Sequence, residues 1–161
     1  MRKAVAIGAA PGLIAGIYVF IASFFGLTME NLAAKAVLLH LGIFALAIPL
    51  VVVERWSKGV NPFRGKPRWA VRSMQALFVL FVAVFFTFLA MSRAASPEIV
   101  NGDYILDSHG KLVAYISQRD YLSLKGWELR FFASGWIVGY YAMMLYWWFP
   151  RQDEWTVVMP D

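Results

Sequence analysis

The sequence predicts an all-α membrane protein: four transmembrane helices, with a small extracytoplasmic β-hairpin and a short helix between the third and fourth. Three observations predict it. Of 161 residues, 60% are hydrophobic and only 16% charged, whereas a soluble domain averages about 25% charged. Four stretches are apolar for long enough to cross ~30 Å of hydrocarbon at ~20 residues each. The bases gather in one connection rather than being spread along the chain. With a mean hydropathy of +0.59 and 13 Phe, 7 Trp and 7 Tyr, there is too little polar surface to cover a water-soluble globule. Soluble enzymes, disordered tails and nucleic-acid modules are excluded on that ground. The absence of cysteine excludes disulfide scaffolds, thiolate metal sites and thiol relays.

The first span covers residues 4–27 and contains Pro11, Gly8, Gly12, Gly16 and Gly26. Arg2 and Lys3 ahead of it resemble the start of a signal peptide. The apolar run, however, outlasts the usual ~7–15 residues, and no A-x-A cleavage site follows. It is therefore expected to be a retained span. The second span, 32–53, is interrupted by Lys35, His40 and Pro49. The third, 70–91, is almost pure Leu, Val, Phe and Ala beyond Arg72, Ser73 and Gln75. The fourth, 131–149, ends in Tyr146-Trp147-Trp148-Phe149 before Pro150, a run suited to an interfacial aromatic belt.

Loop charge sets the orientation. The 54–72 connection holds Arg55, Lys58, Arg64, Lys66, Arg68 and Arg72 against the single acid Glu54. The link around Thr28 has no base, and the 92–130 segment is balanced, with five bases and five acids. The positive-inside rule then places both termini and the basic connection in the cytoplasm, with the protein in the plasma (cell inner) membrane. The 92–130 segment becomes an outer cap within a single 1–161 domain. In it, Tyr104-Ile105-Leu106 and Leu112-Val113-Ala114-Tyr115-Ile116 flank Asp107-Ser108-His109-Gly110, a hairpin signal with Gly110 expected at φ > 0. Such a hairpin is marginal alone and must rest on something. Ser117 is the expected cap of the following helix, with Asp120 in its first turn. A continuous helix from Gln118 would be ~45 Å long at ~1.5 Å per residue. A break at Gly126, giving an interfacial helix and then the span, is expected instead, because Tyr121 and Trp127 are interfacial residue types.

Gly8-x-x-x-Gly12-x-x-x-Gly16 and Gly135-x-x-x-Gly139 are helix-packing motifs, because small residues four apart let another helix approach its backbone. They fit oligomerisation, docking to other membrane chains, or packing between the first and fourth spans. Lys35 can snorkel to the outer interface. His40 lies about eight residues deep, ~12 Å at ~1.5 Å per residue. An ionisable group at that depth raises a functional hypothesis by default, and a neutral ring hydrogen-bonded across to another helix of the bundle is the expected case. With His109 in the outer turn, no second histidine is placed for a haem, and no cofactor is expected. Asp103, Asp107 and His109 are polar turn residues rather than a metal set, and Ser108 lacks the frame of a nucleophile. Arg55, Lys58, Arg64, Lys66 and Arg68 are candidates for lipid headgroup contact.

These residues predict a non-catalytic accessory subunit, scaffold or sensor in a membrane complex. Its expected partners are the bilayer and other membrane chains or further copies of itself, with no nucleic acid. A small oligomeric channel or transporter around His40 is the alternative, and a lipid-modifying enzyme at the outer interface comes third.

Overall fold

A computed structural model describes residues 2–53 and 66–149. These are 75% helical with a small three-stranded antiparallel sheet. Helix α1 is Arg2–Ala22, followed by a single 3-10 turn at Ser23–Phe25, and α2 is Met29–Val53. Helix α3 is Arg68–Ser92, strands β1, β2 and β3 are Ser96–Val100, Asp103–Ser108 and Lys111–Tyr115, and α4 is Gln118–Trp148. Two helices, α1 and α3, are long and apolar enough to cross a membrane. In α3 only 6% of the residues of the apolar stretch are buried by the rest of the protein, and 22% in that of α1.

Helix α4 is the central post, and the other three helices pack chiefly on it. Their directions follow from who meets whom. Along α1, Gly12 faces Tyr140, Gly16 faces Ile137, and Ser23 reaches Arg130, so α1 runs antiparallel to α4. Along α2, His40 lies on Phe132 and Trp136, and Ile43 on Gly139, so α2 runs parallel to it. Along α3, Trp69 meets Phe149, Ser73 meets Tyr141, and Phe88 meets Phe131, again antiparallel. Successive helices thus alternate in direction. The start of α1, the start of α3 and the end of α4 share one end of the bundle, and the sheet sits at the other.

The core lies where α4 meets α1 and α2, around Ala9, Val19, Ala36, Leu129, Ala133, Trp136 and Tyr140. Small residues on α1 and α2 receive the large rings of α4. On the opposite side, Phe131 fills the seam with α3, its ring centroid 5.5, 5.3 and 6.1 Å from those of Phe81, Phe85 and Phe88. Offset and stacked aromatic pairs of this kind add to simple burial.

The cap differs from expectation in two respects. It has three strands in the order β1-β2-β3, not a two-stranded hairpin. The first hairpin turns at Asn101-Gly102, with φ of 53° and 91°, between the paired residues Val100 and Asp103. Positive φ at both central residues is the type I′ pattern that matches strand twist. Pro97 and Glu98 hide β1 in the sequence by breaking its apolar alternation. An edge strand tolerates them, since proline has no ladder hydrogen bond to lose there. The expected β2–β3 hairpin is present, with Gly110 at φ 81° and its N–H donating to the Asp107 carboxylate at 2.9 Å. Its register shifts between Leu106 and Asp107, where a bulge leaves Val113 unpaired.

The second difference is that α4 does not break at Gly126. It is one helix of 31 residues, capped by Ser117, whose side chain accepts from the Asp120 N–H at 3.1 Å. A glycine inside a helix costs only about 1 kcal/mol relative to alanine. Packing outweighs that here. Gly126 is buried against the carbonyl end of the turn after α1, and the turns before it bury Tyr121 and Leu124 under the sheet. Tyr104 lies on Tyr121 at 5.1 Å between centroids, and Leu106 packs with Leu124 and Ala95. The hairpin therefore rests on the projecting turns of α4.

Candidate functional site

Among the described residues, four places bring polar or charged side chains together: the middle of the bundle, each of its two ends, and a cleft beneath the sheet. In the middle, the His40 ring stands edge-on to Trp136 and Phe132, with centroids 5.1 and 5.6 Å away. Its Nδ1 lies 2.9 Å from the Ala36 carbonyl oxygen. A carbonyl only accepts, so Nδ1 carries the proton and donates, within its own helix rather than across the bundle. One turn further on, the Tyr140 hydroxyl crosses from α4 to donate to the Leu39 carbonyl at 2.8 Å. Trp136 is buried, and its indole N–H has no hydrogen-bond partner among the described residues. Lys35 is exposed, one residue before buried Ala36.

The glycines do not share one partner. A Cβ on Gly12 would overlap the Tyr140 ring, and one on Gly16 would lie 3.2 Å from Ile137 Cγ1, so both face α4. Gly139 faces α2, where a Cβ would lie 2.9 Å from Ile43 Cδ1, and Gly135 faces Phe81 of α3 at 3.5 Å. Gly8 has nothing within 4 Å of such a Cβ. Gly42, which stands outside any small-residue spacing, is as tightly placed as Gly12, against the Tyr140 hydroxyl.

At the sheet end, Arg130 ties α4 to α1. Its Nη2 donates to the Ser23 carbonyl at 3.1 Å, and its guanidinium lies 4.2 Å from the Phe24 ring centroid and 4.7 Å from that of Trp127. The final carbonyls of a helix are its negative end, so a cation here is well placed. Lys125 and Glu128 pair beside it at 3.0 Å. At the opposite end, Lys66 donates to the Leu145 and Phe149 carbonyls at 3.3 and 3.5 Å and lies over the Tyr146 ring. It thereby closes the C-terminal end of α4. Arg68 and Arg72 are exposed on the first turns of α3. Arg55, Lys58 and Arg64 lie outside the described residues. Neither Arg130 nor Lys66 is distinguishable by sequence from a neighbouring loop or interface base, because the carbonyls they bond belong to residues 107 and 79 or more positions away.

The cleft lies between the end of α3, strands β2 and β3, and the first turns of α4, and its volume is about 400 Å³. Leu106, Ile116 and Leu124 form an apolar floor, and Arg93, Tyr115 and Asp120 stand around it. Arg93 and Ala94 both hold left-handed backbone, φ 54° and 56°. For residues with a Cβ this conformation costs roughly 1–2 kcal/mol each. The turn is held by the Arg93 and Ala94 N–H groups, both donating to the Leu89 carbonyl, and by Ala95 N–H donating to Ser92. It carries the chain from α3 into β1 and leaves Arg93 exposed at the cleft, with no ion pair among the described residues. The Asp120 carboxylate accepts from the Ser117 hydroxyl at 2.7 Å. Among the described residues, no group of three His, Asp or Glu side chains is placed to hold a metal ion.

No known protein family matches the chain, and no curated protein or solved structure is similar to it in sequence or fold.

Proposed function

We propose that the chain crosses the membrane four times and acts by contact, as an accessory subunit, scaffold or sensor of a membrane complex. Both ends and the basic 54–72 connection lie in the cytoplasm on this reading, and the sheet lies outside. One observation carries it: the polar side chains of the bundle hold its helices together. Tyr140 bonds α2, Ser73 bonds Tyr141, Arg130 bonds the end of α1, and Lys66 closes α4. Meanwhile the apolar surface of α3 stays largely uncovered. A helix with so little of its apolar stretch buried suits lipid or a membrane partner, not water. The alternating helix directions support two further crossings by α2 and by α4 from residue 131 onward, a stretch without charged residues up to Phe149. His40 does not favour the channel reading, since Phe132 and Trp136 wall its ring and its Nδ1–H donates to the Ala36 carbonyl.

The test is gentle solubilisation followed by mass spectrometry of the intact assembly. A stoichiometric second chain, or a defined oligomer, is expected. A clean monomer with no co-purifying chain overturns the contact role.

A further inference from the structure

We propose that the cleft beneath the sheet binds the headgroup of a zwitterionic phospholipid bearing a primary ammonium, with its phosphate at Arg93 and its ammonium at Asp120. This inference rests on the membrane placement proposed above. Its first support is position. Phe88 of α3 is level with Phe131 of α4, so Met91 and Arg93 stand where the apolar part of α3 ends. The hydrocarbon core is ~30 Å thick and the whole bilayer ~40–45 Å, which leaves a headgroup layer of several ångströms on each side. Arg93 and the cleft lie in that layer, and Met91, exposed and also lining the cleft, leads from it to the uncovered face of α3. Met91 thus joins the cleft to the apolar surface of α3, the side on which an acyl chain would lie.

The second support is chemical. A volume of about 400 Å³ falls at the lower end of the ~300–1,000 Å³ typical of small-molecule sites. The floor of Leu106, Ile116 and Leu124 accepts glycerol and the first methylenes. Arg93 offers a planar guanidinium suited to phosphate oxygens. Asp120 retains acceptor capacity beyond the one hydrogen bond from Ser117, because an ionised carboxylate has several lone-pair sites. One cation and one anion on the same small cleft match a zwitterion better than an anionic lipid. The third support is the backbone of Arg93 and Ala94, whose left-handed turn, held by hydrogen bonds to the Leu89 and Ser92 carbonyls, fixes Arg93 at the mouth of the cleft.

The experiment uses the full-length protein in nanodiscs or mild detergent, with native mass spectrometry of retained lipid. The probes are phosphatidylethanolamine, phosphatidylglycerol, phosphoethanolamine and inorganic phosphate. Phosphatidylethanolamine should be retained over phosphatidylglycerol by about tenfold, the effect of one charge-assisted contact. Arg93→Gln should weaken both lipids by a similar factor. Asp120→Asn should weaken only phosphatidylethanolamine, reversing or abolishing the preference. Ser123→Trp, a substitution on the exposed face of the helix that lines the cleft, should block retention without touching the Ser117 cap. Unchanged circular dichroism and thermal midpoint check that each variant folds.

Phosphoethanolamine competing only at far higher concentration than the lipid supports the apolar floor. Equal retention of the two lipids overturns the proposal, as do unchanged retention in the variants and displacement by inorganic phosphate alone. Alkaline carbonate extraction separates the two readings. A protein that stays in the membrane yet shows no lipid preference overturns the lipid site only. One that is extracted overturns the membrane placement as well.

Discussion

Tyr140 is the residue on which three helices converge. Its ring fills the space left by Gly12 of α1, and its hydroxyl lies against Gly42 and bonds the Leu39 carbonyl of α2. Gly12→Ala should therefore cost about 1–3 kcal/mol, the range for overpacking a filled site. The ring cannot simply turn aside, because its hydroxyl is tethered. Gly8→Ala should leave stability unchanged or slightly raised, since nothing lies within 4 Å of the new Cβ. Unfolding of the purified variants in mixed micelles distinguishes them, and equal losses would contradict the packing described. Tyr140→Phe keeps the ring and removes one hydrogen bond, an expected loss of about 0.5–1.5 kcal/mol in the same assay. The Gly8-Gly12-Gly16 spacing is legible in the sequence, but the partner of each glycine is not. Small-residue faces admit a helix of the same chain or another equally well, and only the antiparallel placing of α4 selects Tyr140 and Ile137.

Helix α4 shows where local sequence signals stop being informative. Ser117 and Asp120 mark its start, as their chemistry predicts. Gly126 suggests a break, but the glycine penalty is small beside the burial of Tyr121 and Leu124 under a sheet that forms from distant residues. Gly126→Ala tests this. The added Cβ would lie 3.7 Å from Arg130 Nη2 and 3.9 Å from the Ser23 carbonyl, ordinary contact distances. In a continuous helix the substitution should raise stability by about 0.5–1 kcal/mol. A loss of stability would show that the chain needs flexibility there. The sheet has its own signal in Asn101-Gly102, a strong hairpin dipeptide, which Pro97 and Glu98 obscure by spoiling the alternation of β1. With Gly102 at φ 91°, Gly102→Ala should destabilise the first hairpin by about 1–2 kcal/mol. Faster amide exchange confined to β1 and β2 is the expected readout, and exchange unchanged from the parent protein would mean that the turn adopts another form.

At the scale of the whole molecule, the proposed topology draws on the distribution of bases and on the alternating helix directions, and it can be tested at α3. The 54–72 connection carries six bases against one acid, while the 92–130 segment is balanced. Helix α3 joins those two segments, and its apolar stretch is the least buried of the two long enough to cross a bilayer. Arg68 at its start and Ser108 in the sheet should therefore lie on opposite sides of the membrane. A chain without cysteine makes this directly measurable, since any cysteine introduced is unique. Ser108→Cys should react with a membrane-impermeant maleimide on intact cells. Arg68→Cys should react only after permeabilisation. Both positions fall outside the helix contacts that hold the bundle together, so neither change should disturb its fold. Labelling of both from the same side would mean that α3 does not cross. Labelling in the reverse sense would keep the crossing but invert the protein, and the sheet and its cleft would then face the cytoplasm.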